Sequence, residues 1–208
     1  MSPKAKAQTT KAPRFLLGAL ALFVVAEACS PARPAKSGPS KGTPELASVS
    51  LPPGVVLERV CVPSGPELCF NAIDDNCNGV LDEGCGLHTG LVQFTIAWSE
   101  ADADVDLEVT DPSGELVEVG RVSEDGLVKE RDCPGSRNEC LGQNIENVFL
   151  DQGEPARGDY SVVIRVEKLG TSQPPLEVTL GARVGPKTFA TRIQFKADDE
   201  QQKLVFEL

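Results

Sequence analysis

The chain has 208 residues, 40% hydrophobic and 25% charged, enough for one mid-sized domain or two small ones. Its 20 Lys and Arg stand against 31 Asp and Glu, a net charge of −11. That argues against a nucleic-acid partner, because no basic stripe exists to neutralise phosphates, and against an anionic membrane surface held by charge alone. The single histidine, His88, removes most histidine-based zinc sites and most proton relays at neutral pH.

The N-terminus reads as an address. Lys4, Lys6, Lys11 and Arg14 precede an apolar run from Phe15 to Ala26 that is too short to cross about 30 Å of hydrocarbon. Glu27, Ala28 and Cys29 follow. The stretch AEAC resembles a bacterial lipobox, which implies a lipoprotein signal peptide over residues 1–28, cleavage before Cys29 and lipidation of its thiol. The alternative is a plain secreted protein with an odd cysteine. Ser30 after the cysteine implies, by the same resemblance, sorting to the outer membrane of a Gram-negative envelope. Residues 29–60 contain Pro31, Pro34, Pro39, Pro44, Pro52 and Pro53 among Ser, Gly, Ala and Lys, and are expected to form a disordered tether.

A Cys-rich module is expected over residues 61–86. Cys61, Cys69, Cys77 and Cys85 recur every eight residues. With Cys29 set aside as the lipid site, an even number of cysteines remains, and in an exported chain this points to disulfides. Four cysteines allow three pairings and the spacing chooses none of them. A zinc site of four thiolates is the alternative, but it calls for cysteines only about two residues apart.

The segment DDNCNGVLDEGC carries the sharpest chemistry. With Asp74 at loop position 1, Asn76 falls at 3, Asn78 at 5, Gly79 at 6, Val80 at 7, Leu81 at 8 and Asp82 at 9. This is the oxygen-ligand spacing of an EF-hand-like calcium loop, with the position-7 carbonyl as a ligand and glycine at the sharp turn. The candidate ligands are Asp74, Asn76, Asn78, Val80 through its carbonyl, Asp82 and Glu83, with Asp75 in reserve. Asn at two ligand positions and Cys85 in place of a closing Glu predict weak binding, on the order of 10⁻⁴–10⁻³ M. An acidic, disulfide-bonded turn that binds nothing is the plain alternative.

The stretch ELCFNAIDDNCNGVLDEGC resembles the short metal-binding motif of MopE-type bacterial surface proteins. Glu67, Cys69, Asn71, Ile73, Asp74, Asp75, Cys77, Gly79, Asp82, Glu83 and Gly84 match it; Ala72, Asn76 and Asn78 depart from it. The resemblance implies an envelope or secreted protein and no catalysis.

Residues 90–208 read as one β domain. Val92, Phe94, Ile96 and Trp98 alternate with other residues, and the pattern repeats at Val105–Val109, Tyr160–Val166, Leu176–Leu180, Phe189–Phe195 and Leu204–Leu208. Period two means strands with one face buried. Asp111-Pro112-Ser113-Gly114 is a turn. The expected fold is mainly β: an antiparallel β-sandwich preceded by the disulfide-rich calcium-loop module and the tether. Cys133 and Cys140 are close enough in sequence to be expected as a local disulfide.

Asp102, Asp104, Asp106 and Glu108 share one strand face and repel one another. Lys or Arg on neighbouring strands would relieve the repulsion, as would a second bound cation. The run LVQFTIAWSEADADVDLEVTDPSGE, together with GDYSVVIRV, resembles YfaP-like domains, which implies a β-sandwich with a binding or accessory role. No G-x-S-x-G or H-E-x-x-H occurs. The functional expectation is therefore a non-enzymatic surface-anchored lipoprotein with a calcium-binding loop. Its partners would be the membrane, through the lipid, and a protein or glycan at the sandwich. The alternatives are a purely structural envelope protein and, further off, a carboxylate-metal-dependent hydrolase.

Overall fold

The alternating segments become antiparallel strands in the computed structural model, which describes residues 43–63, 65–134, 140, 142–171 and 173–208. The lipobox and Cys29 lie outside the described residues. In chain order the strands are β1 (Ser48–Ser50), β2 (Val92–Trp98), β3 (Asp104–Thr110), β4 (Leu127–Lys129), β5 (Ile145–Leu150), β6 (Asp159–Lys168), β7 (Leu176–Val184), β8 (Lys187–Phe195) and β9 (Gln201–Glu207). They form two sheets, β1-β9-β6-β3 and β4-β5-β2-β7-β8, with every pairing antiparallel. No helix occurs among the described residues, so none is long and apolar enough to cross a membrane.

The core lies between the sheets. Phe94, Ile96, Leu107, Val162, Ile164, Leu180, Phe195 and Phe206 are fully buried there. Each such side chain is stabilised by about 1.5–3 kcal/mol relative to exposure. Phe94 packs against Phe206 and Tyr160, with ring centroids 5.0 and 6.1 Å apart. The Tyr160 hydroxyl leaves this cluster to donate to the Ala156 carbonyl at 2.9 Å, a corner that recurs in β-sandwiches. The turn at Asp111–Gly114 forms as its sequence predicts, closed by the Gly114 amide on the Asp111 carbonyl at 3.0 Å.

Two features differ from the alternation pattern. Residues 43–60 were expected to belong to the tether, yet β1 pairs with β9, and Glu58 and Ala190 exchange backbone hydrogen bonds of 2.9 and 2.7 Å. Leu46, Val49, Leu51, Val55 and Leu57 supply the reason, because they pack against the core from among the prolines. Furthermore, β2 is buried along its whole length on both faces. Its second face carries Gln93, Thr95 and Ala97, and the Cys-rich segment covers part of it: Ala72, Leu87 and Phe70 pack with Ala97 and Ile145. Lys41–Leu208 consequently form one compact unit.

The sheet is shaped for this cover. A Cβ on Gly181 of β7 would lie 2.2 Å from the Ala72 carbonyl oxygen and 3.1 Å from Leu81 Cδ1. Only glycine lets the module's backbone rest on the strand.

Candidate metal centre

Two interleaved disulfides, Cys61–Cys77 and Cys69–Cys85, staple residues 61–85, each spanning a sequence separation of 16. Cys133–Cys140 is the third bridge. The module has no regular strand, so polar side chains and cross-links take over the work that a sheet ladder does elsewhere.

Asp74 organises the loop. Its Oδ1 accepts from the Asn78 amide at 3.0 Å, and its Oδ2 accepts from the Gly79 amide at 2.9 Å and the Thr188 hydroxyl at 2.6 Å. With 4% exposure, it links the module to the start of β8. Gly79 has φ +86°, and a Cβ there would lie 2.7 Å from the Pro186 carbonyl oxygen. The sharp turn and the close approach to the β7–β8 hairpin both require glycine at that place. Leu81 is fully buried beneath the loop.

Asn76, Asn78 and Glu83 converge. Asn76 Oδ1 accepts from the Asn78 amide and Asn78 Oδ1 from the Val80 amide, at 3.0 and 2.9 Å. Both side-chain amides donate to Glu83 Oε1. Glu83 Oε2 and Glu67 Oε2 are buried without a hydrogen-bond partner. Glu67 Oε1 accepts from the Asp82 amide at 3.1 Å. Burial pushes the Glu67 carboxyl up to about 7, and the nearby Glu83 carboxylate adds to the effect. The two Asn side chains turn their amide nitrogens to Glu83 and their Oδ1 atoms accept from backbone amides, so the unpartnered Glu67 and Glu83 oxygens are the hard donors left in the loop. Among the described residues, no three acidic side chains of the loop bring their oxygens within 4.8 Å of one another.

Asp82 is placed differently from the spacing argument. Its fully buried carboxylate accepts from the Asn71 and Ala72 amides at 3.1 and 2.9 Å. Burial pushes it up to about 6, against those same amides. It pins the Asn71–Ala72 turn, where Ala72 has φ +60°. Asp75 is likewise engaged, accepting from the Leu68 amide and the Asn71 side chain. Glu67 and Thr188 are the members that spacing did not supply. Glu67 lay within the quoted motif, whereas Thr188 is 114 residues from Asp74 and gave no local signal.

Two members of the acidic stripe have cationic residues in register on the neighbouring strand. Asp104 is in register with Lys168 and Asp106 with Arg165 across β3–β6. Burial raises the pKa of both carboxyls. Asp102 precedes the strand and accepts from the Thr171 amide at 2.8 Å. Asp106, Asp132 and Glu146 each bring one oxygen within 4.8 Å of the others, but Lys129 stands among them, 2.8 Å from Asp132 and 2.9 Å from Glu146. An internal ammonium thus lies against the converging carboxyl groups.

His88 stacks on Phe149 with a 5.4 Å centroid separation and meets Glu130 Oε1 at 3.1 Å. A cleft of about 350 Å³ runs between the 54–60 segment and β7–β8, lined by Val56, Glu58, Val60, Ile73, Ala190 and Arg192 among others.

No family model, curated protein or solved structure matches this chain.

Proposed function

We propose that this protein is a lipid-anchored, non-enzymatic component of a Gram-negative cell envelope. Its disulfide-bonded module takes up a calcium ion and with it stiffens the face of a β-sandwich that binds a protein or glycan. The lipobox at Cys29 and the following proline-rich residues support the anchor. The observation that carries the ion is the pair of buried, unpartnered oxygens on Glu67 and Glu83 beside the Asn76 and Asn78 side chains. Glu67 and Glu83 would hold the ion, with Asp74 fixing the loop around it. Calcium would satisfy the orphaned oxygens and offset the repulsion between the two carboxylates.

Calorimetric titration of the oxidised protein with calcium tests this. Binding with a Kd on the order of 10⁻⁴–10⁻³ M is expected, weakened at least tenfold in Glu83→Gln and in Glu67→Gln. No heat of binding at millimolar calcium would contradict it. One observation favours a second reading, a structural envelope protein without a ligand: Asp74 already has three donors from the protein itself. The absent heat would select that reading.

A further inference from the structure

The edge of the sandwich at β3–β5 carries a buried polar group separate from the metal centre. Lys129 closes β4 with a side chain only 9% exposed. Its Nζ lies 2.8 Å from Asp132 Oδ1 and 2.9 Å from Glu146 Oε2. Glu146, on β5, has no solvent exposure and is held rigidly by the Leu107 amide at 2.7 Å and the Cys133 amide at 2.8 Å. Asp132 is 50% exposed. Thus one amine is held against two carboxyls, one fixed in the interior and one open to solvent.

We propose that Lys129 Nζ and Asp132 Cγ join in an intramolecular amide, with the Glu146 carboxyl relaying the protons. The Lys129 ammonium first gives one proton to the Asp132 carboxylate by way of Glu146, leaving a neutral amine facing a neutral acid. The amine lone pair then attacks Cγ and forms the C–N bond. Glu146 takes the second proton from the nitrogen and passes it to the departing Asp132 oxygen. The C–O bond breaks and one water leaves towards the solvent side of Asp132. The amine, the acid, one amide and one water account for every atom and charge, and no oxidant or co-reactant is needed.

Position drives the step. Well-oriented reacting groups reach effective molarities of about 10⁵–10⁸ M, and the 2.8 Å contact sets the Lys129 amine beside the Asp132 carboxyl. A relay works best when its own affinity for protons is near neutral, and burial pushes the Glu146 carboxyl up to about 8. Burial works to lower the Lys129 pKa, but Glu146 and Asp132 outweigh it and hold the amine charged until that transfer occurs. The product would close a ring at the end of β4, next to the Cys133–Cys140 bridge, and replace a salt-sensitive ion pair with a covalent one.

Peptide mapping by mass spectrometry of the reduced, denatured full chain reads this directly. In a chymotryptic digest, cut at Leu127 and Leu141 outside the ring, the peptide spanning Lys129 and Asp132 is expected to be lighter than its linear form by one water. The deficit should vanish in Asp132→Ala, a change on the half-exposed side of the cluster. In Asp132→Asn the loss should become one ammonia relative to that variant's linear mass. A linear mass for the wild-type peptide, or a deficit that survives Asp132→Ala, overturns the proposal. Glu146→Gln should lower the cross-linked fraction at least tenfold, with disulfide mapping as its check on folding; an unchanged fraction in the folded variant overturns the relay.

Discussion

The sandwich and the Cys-rich segment share one compact unit but are held by different forces. The sandwich closes over Phe94, Ile164, Leu180 and Phe206, a continuous apolar core between its sheets. The segment over residues 61–86 contributes Ala72, Ile73 and Leu81 as its buried apolar residues, too few for a core of its own. It is shaped by two disulfides, by carboxylates that accept backbone amides, and by a seat at Gly181 and Thr188. A short segment gains stability by stapling and by borrowing another element's surface. The same economy leaves one carboxylate oxygen each on Glu67 and Glu83 without a partner.

The comparison can be broken at its strongest side first. Phe206→Ala should cost about 3–5 kcal/mol through a cavity under Phe94. Denaturant unfolding should show it as a shift of the whole transition. Cys69→Ser with Cys85→Ser should cost about 3 kcal/mol. Limited proteolysis should then cut within residues 61–86 while the β signal in circular dichroism persists; simultaneous loss of both would mean that the sandwich needs the module. Thr188→Val removes the 2.6 Å bond to Asp74 and should cost about 1–2 kcal/mol, read as faster amide exchange at Asn78 and Gly79.

The smallest effect is on pH. Glu67 and Asp82 have folded-state pKa values raised to about 7 and about 6. The native state therefore holds protons more tightly than the unfolded chain at both places. Their contribution is fully present below about pH 4 and is lost as pH rises through 6 and 7. In chelator the module should thus become more protease-sensitive between pH 5 and 8. Calcium should reverse the trend, because deprotonation frees Glu67 to hold the ion. An unchanged profile in Glu67→Gln would show that Glu67 is not responsible.

The sandwich was legible in the sequence because period-two alternation is imposed residue by residue. Val92 to Trp98 and Tyr160 to Val166 point into the core as the pattern requires. Short β1 and β4 were not legible, since three residues carry no period. Nor was the covered outer face of β2, because Gln93 and Thr95 read as solvent-facing until the module is folded against them. The loop's turn was legible from Asp74 and Gly79, whose roles are local. Asp82 and Thr188 were not, because their roles depend on what the rest of the chain brings to them: Asp82 meets amides 10 and 11 residues upstream, and Thr188 arrives from β8. The relief of the acidic stripe likewise depended on register, which sets Lys168 and Arg165 opposite Asp104 and Asp106.

The most direct test of the central claim, that a cation completes the module, is thermal unfolding of the oxidised protein in calcium and in chelator. Protease susceptibility around Asp74 should be followed in the same samples. At a calcium concentration about ten times Kd, stabilisation of about 1.4 kcal/mol is predicted, with protection of residues 61–86 and loss of both effects in Glu83→Gln. Identical melting and identical cleavage in calcium and chelator would contradict it, and would leave the module as a disulfide-bonded cover for the sandwich.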